Sequence, residues 1–240
     1  MQAPKDEAQC CQICEKPTTG EYTFGRETLS LCDACREARK LRDEDDDKLG
    51  RVIDLRRSGQ YDEALAYLDA ISESNRDGEK SRYLARNVAG YRGMILSELG
   101  RYTQAEDAYK ALGELGFADS WERGEYALGL ARTLETVGRD REALAVFEDA
   151  LAAEDPEDLN AAPSLLAELA RLSEKLGQPV DPKWRRLAEA VADEYAVEMP
   201  TNDSFGQALL TLEQLTRSAK PKRQREWEAE HGADSDEKDE

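Results

Sequence analysis

From about residue 45 to 198, apolar side chains recur three or four positions apart, and the recurrence is interrupted at near-regular intervals by a glycine. Leu49, Val52, Ile53 and Leu55 precede Gly59, and Leu65, Leu68 and Ile71 follow it. Leu128, Ala131 and Leu134 precede Gly138, and Leu144, Phe147 and Leu151 lie beyond it. This spacing lines apolar groups along one side of a helix. A glycine between two such stripes ends the first helix most readily, because it enters the left-handed region without a Cβ penalty. Each segment therefore predicts a helix hairpin.

Four glycines set the frame: Gly59, Gly100, Gly138 and Gly177, spaced 41, 38 and 39 residues apart. In the first three units an alanine follows five residues later (Ala64, Ala105, Ala143) and a bulky residue four beyond that (Leu68, Tyr109, Phe147). The small residue lets the second helix approach closely, and the bulky one fills the same face a turn later. The fourth unit is degenerate. Its turn lengthens through Gly177-Gln178-Pro179-Val180-Asp181-Pro182, and a helix is expected over 183–197, entered from Asp181 with Pro182 at its first position. Ser204-Phe205-Gly206-Gln207 has capping-box spacing and opens a further helix within 199–218, carrying Leu209, Leu210, Leu212 and Leu215, suited to shielding the open end of a stack.

These units resemble tetratricopeptide repeats. The matching positions are Gly93, Gly100, Arg101, Tyr102, Ala105 and Tyr109 in the second unit and Ala131, Gly138, Arg139, Ala143, Phe147 and Ala150 in the third, with Pro156 one residue past the usual proline position. Two departures stand out: a period near 39 instead of about 34, and Ala89 and Ala127 where the family places a large aromatic. The resemblance implies an all-α, right-handed solenoid of about four hairpins over 43–198. It also implies a groove built mainly from the first helix of each unit and suited to an extended peptide or a partner helix. In the family register that groove is lined by Arg56, Asn87, Tyr91, Met94, Glu125, Leu128, Arg132, Glu135, Arg171 and Glu174. Asn87, Arg132 and Arg171 would set donors in a row, and arginine suits carboxylates, so the expected client is an acidic or C-terminal peptide segment.

Ahead of the repeats, Cys11-Gln-Ile-Cys14 and Cys32-Asp-Ala-Cys35 hold four of the five cysteines, with seventeen residues between the pairs. A Cys-x2-Cys pair can grip two corners of a tetrahedron, and a second pair completes a four-thiolate zinc site. Glu21–Phe24 and Glu27–Leu31 are short strand candidates around Gly25-Arg26, and the residues after Asp33 read as a helix start. Knuckle, hairpin, knuckle and helix is the order of a treble-clef finger. Residues 9–42 resemble the N-terminal zinc-binding domain of the ClpX unfoldase family, and the finger is taken as residues 1–42. The competing reading of these cysteines is disulfides in a secreted protein. Met1–Gln9 has no apolar leader core, and the two hundred residues after Cys35 contain no cysteine, so structural Zn2+ on Cys11, Cys14, Cys32 and Cys35 is the expected cofactor. Cys10 is left over, either as a substitute ligand or as an oxidisable thiol.

Composition narrows the function further. A net charge of −19 argues against general affinity for nucleic acid or anionic lipid. Residues 1–42 balance to zero and do not rescue a nucleic-acid finger. No apolar run approaches the roughly 18 residues of a membrane span. The single histidine, His231, sits in a charged tail over 219–240, and no phosphate loop, dinucleotide fingerprint or nucleophile elbow occurs, so no enzyme class is indicated. Asp43–Asp47 is a linker, the start of the first repeat helix, or part of one long helix from Cys35 to Arg57. The expectation is a cytoplasmic bacterial adaptor or scaffold, its groove holding a protein client and its finger docking a second protein or forming a homodimer. The alternatives are a nucleic-acid-associated regulator and a redox switch that loses zinc on oxidation.

Overall fold

Each of the four frame glycines turns the chain by the same hydrogen-bonded device. Gly59, Gly100, Gly138 and Gly177 all have φ between +68° and +79°. Each donates its N–H to a carbonyl three residues back, and the next residue donates to one five back: Gln60 to Leu55, Arg101 to Leu96, Arg139 to Leu134 and Gln178 to Ser173, at 2.8–3.0 Å. This is the paired closure of a helix end by a left-handed residue, which satisfies carbonyls that the last turn leaves open.

The computed structural model describes residues 20–24, 27–74, 82–155, 158–201, 204–222 and 224–226. The chain divides into two units, Met1–Leu84 and Ala85–Glu240. In the first, β1 (Gly20–Phe24) pairs antiparallel with β2 (Glu27–Leu31), Gly20 opposite Leu31 and Phe24 opposite Glu27. β2 runs through Cys32 into α1 (Asp33–Arg57), which packs against α2 (Tyr61–Ser74). Leu49, Val52 and Leu55 of α1 and Ala64, Leu68 and Ile71 of α2 are the buried stripes of this hairpin. Asp43–Asp47 is helical and continuous with the turn that carries Cys35, which is the single long helix among the three arrangements open from sequence. Within that run Asp45 is buried and accepts from Lys48 at 3.2 Å, while Asp46 accepts from the Tyr83 hydroxyl at 2.6 Å.

α3 (Arg82–Glu98) begins at the division and belongs mainly to the second unit, followed by α4 (Tyr102–Leu115), α5 (Ser120–Thr136), α6 (Asp140–Ala152) and α7 (Ala162–Lys175). One apolar cluster runs from Tyr109 through α5, α6 and α7 to Leu209 and Leu212. Ala105, Ala143 and Phe147 are fully buried, and Tyr109 is buried as well. Tyr109 of α4 explains two further glycines. A Cβ on Gly93 of α3 would lie 3.0 Å from its ring, and one on Gly129 of α5 would lie 2.5 Å from it. The ring occupies a slot that two missing side chains provide.

The fourth unit differs from the single helix expected over 183–197. Pro182–Trp184 forms a 3-10 turn, with Asp181 accepting from the Lys183 N–H at 2.8 Å, and α8 (Arg185–Tyr195) then stops two residues short of the expected end. Ala196 ends it by adopting φ +51°, and the Val197 N–H closes back to Ala192. α9 (Phe205–Thr216) is capped by Ser204, whose hydroxyl accepts from the Gln207 N–H, and lies along α7 with Ala208, Leu209 and Leu212 buried.

Candidate functional site

The first helices of the second unit, α3, α5 and α7, are linked directly to one another by polar side chains. Arg86 of α3 meets Glu122 of α5 at 2.9 Å, and the Ser97 and Thr133 hydroxyls are 3.3 Å apart. Between α5 and α7, Arg171 grips Glu135 through two nitrogens at 2.6 and 3.2 Å and reaches Glu168 at 2.6 Å. The second helices carry a parallel link, in which Arg139 beside the Gly138 turn binds Glu106 of α4 and Glu142 of α6, both at 2.6 Å. The hydrogen bonds from Arg139 and Lys110 hold the Glu106 carboxyl below its usual range.

On α5 the core side carries Ala127, Leu130, Ala131 and Leu134. At 100° per residue the opposite side carries Trp121, Glu125, Leu128 and Arg132 within an arc of about 60°. Trp121 is 62% exposed, Glu125 and Arg132 are exposed, and Leu128 is half-buried at the edge of the core. Three residues expected in a groove thus share one face with an exposed tryptophan that the sequence reading left out. Trp121 lies one helical turn before Glu125, and that i to i+4 spacing is the signal that could have found it. The helix begins only at Ser120, under the Asp119 cap, so Trp121 sits in the first turn, where periodicity is least informative.

The remaining expected residues are placed as follows. Arg56 is in the first unit, on the last turn of α1. Asn87, Tyr91 and Met94 are half-buried on α3, Glu174 is exposed on α7, and Glu135 and Arg171 are joined as described. The pairing raises the Arg171 guanidinium above its already high range and commits its donors within the protein. In the repeat register Arg132 corresponds to Arg171, and Ser97 to Glu135. Serine cannot supply the carboxylate, and Arg132 has no ion-pair partner among the described residues. Of the three donors expected in a row, Arg132 is the cation that remains available.

Cys32 is the N-cap of α1 and is buried. Cys35 packs in the first turn against Leu31 and Cys32. Two thiols three residues apart at a strand-to-helix corner suit one half of a four-thiolate site, and sulfur donors of this kind favour zinc. Cys10, Cys11 and Cys14 lie outside the described residues, as do Pro156, His231 and the tail from 227. Among the described residues no three Cys, His, Asp or Glu side chains converge as a metal site, and no helix is long and apolar enough to cross a membrane.

A tetratricopeptide repeat family model matches residues 127–161, the stretch that contains the Gly138 turn, α6 and the connection to α7. No curated protein and no solved structure matches the chain.

Proposed function

We propose that the protein is a non-enzymatic adaptor that holds a protein or peptide client on the first-helix face of its second unit. The observation that carries this reading is the α5 stripe, where an exposed tryptophan and an arginine with no ion-pair partner among the described residues flank Leu128 at the edge of the core. Tryptophan and arginine are the side chains that contribute most per residue at protein interfaces. The similarity of 127–161 to a tetratricopeptide repeat supports the same class of function. An acidic segment is the client that complements Arg132, because a carboxylate would supply the partner that Ser97 withholds. Asn87, Tyr91 and Met94 extend the face along α3, and the exposed Glu125 and Glu174 reject segments carrying excess negative charge beyond the arginine. Arg56, in the first unit, is kept as a further candidate contact.

The N-terminal region is proposed to be a structural zinc finger, with Cys11, Cys14, Cys32 and Cys35 as ligands. Four thiolates would close the coordination sphere, so the ion would order the chain and leave no position for substrate. Such a finger gives the adaptor a second contact surface, for another protein or for a second copy of the chain, in a cytoplasmic setting. The test is affinity capture with the whole chain, a Trp121→Ala/Arg132→Glu variant and a Cys11→Ser/Cys14→Ser variant, read by mass spectrometry. Two sets of partners, one lost with each variant, support the adaptor. Recovery of only nuclease-sensitive material that depends on the finger overturns it.

A further inference from the structure

The connection from α6 to α7 is fastened onto the first turn of α5 at three points. Asp158 accepts from the Ser120 N–H at 3.1 Å, and Ala161 packs where a Cβ on Gly124 would lie 2.5 Å away. The third point is Glu154, whose side chain is 1% exposed and faces Arg123 at 3.4 Å, a long contact for a buried ion pair. Its other oxygen, Oε2, is buried with no partner among the described residues, and so is the Ser120 hydroxyl on the same turn. Asp155 and Asp158, both negative and both in the connection itself, also act on this carboxyl. Asp158 is held ionised: burial pushes its carboxyl up, but the bonds from Ser120 and Asn160 outweigh burial and bring it below the usual range. Tyr195 of α8, raised by burial, also lies within reach of the Asp158 charge.

We propose that Glu154 is a proton-operated latch, closed as the neutral acid and released as the carboxylate, that controls the order of the α5 turn carrying Trp121. In the closed form a neutral carboxyl tolerates an unpartnered buried oxygen far better than an anion does. Once ionised, the group gains more from water than from a single long arginine contact, and the connection lifts from Ser120 and Gly124. Burial, only partly opposed by Arg123, pushes the Glu154 carboxyl up to about 7, so the transition falls near neutrality. The consequence for binding rests on the proposed α5 face. The latch itself does not.

Linkage sets the size of the effect. If the open form titrates near the ordinary 4.5 and the closed form near 7, the opening equilibrium rises about tenfold between pH 6 and pH 8. The experiment is amide exchange by NMR on the full chain, corrected for intrinsic rates, with the Ser120 N–H as reporter. The side-chain carboxyl carbon of Glu154 is titrated in parallel. The latch predicts that Ser120 protection falls about tenfold from pH 6 to pH 8, in step with the Glu154 titration. Glu154→Gln, which mimics the neutral acid, should hold the pH 6 protection at both values. Titration of Glu154 with the ordinary glutamates overturns the proposal even if the variant does not fold. So does equal pH dependence in wild type and Glu154→Gln. Neither result bears on whether the α5 face binds peptides, which is read separately with Trp121 and Arg132 variants.

Discussion

Tyr109 shows how single residues divide the work in this chain. Its ring enters the space left by Gly93 and Gly129, so Gly129→Ala should clash and cost about 1–3 kcal/mol, seen as a lowered thermal midpoint. Gly50 on α1 has nothing within 4 Å of an added Cβ, and Gly50→Ala should raise stability by about 0.5–1 kcal/mol through helix propensity alone. The same logic runs in reverse at Ala196, where a residue with a Cβ holds φ +51°; Ala196→Gly should stabilise by about 0.5–1 kcal/mol. Glu154 gives a pH-dependent version. Its folded carboxyl titrates near 7, above the unfolded value near 4.5, so the native state holds the extra proton between them. Its contribution to stability is therefore fully present below about 4.5, falls as pH rises to about 7, and stays low above it. Glu154→Gln should unfold like the wild type at pH 5 and exceed it by about 1–3 kcal/mol at pH 8, measured by urea unfolding at both values. Glu106 has the opposite slope, because a depressed carboxyl adds stability that is present above the usual range and lost in acid.

Among the helices and turns, the parts fixed by neighbours in sequence were the legible ones. The four glycine turns and the alanines behind three of them follow from local closure and close packing, and both leave marks a few residues apart. Ser204 capping Gln207 is legible for the same reason. What sequence reading lost depends on contacts some 30–40 residues apart. Arg171 reads as a groove donor until Glu135, 36 residues earlier, is seen to hold two of its nitrogens. The latch of Glu154 on Arg123 and of Asp158 on Ser120 is equally invisible, because two ordinary acidic residues in a connection carry no periodicity. A double-mutant cycle on Glu135→Gln and Arg171→Ala should return about 1 kcal/mol of coupling that weakens in high salt. A coupling indistinguishable from zero at low salt would mean that the two first helices are held by apolar packing alone.

At the scale of the molecule, the two units carry different proposed contacts, and each is tested without the other. For the first, purified protein should contain about one zinc per chain, lost in Cys11→Ser/Cys14→Ser; protein purified without chelators that holds no zinc would remove the finger. The second unit carries the central claim, that the outward face of α5 takes a client segment. The direct measurement is selection from a library of short displayed peptides against the whole chain, with Trp121→Ala/Arg132→Glu as a counter-target of matched thermal stability. Enrichment of peptides that pair an Asp or Glu with a nearby large apolar residue, bound by the wild type and not by the variant, is the predicted result. Peptides retained equally by both proteins, or no enrichment at all, would contradict it.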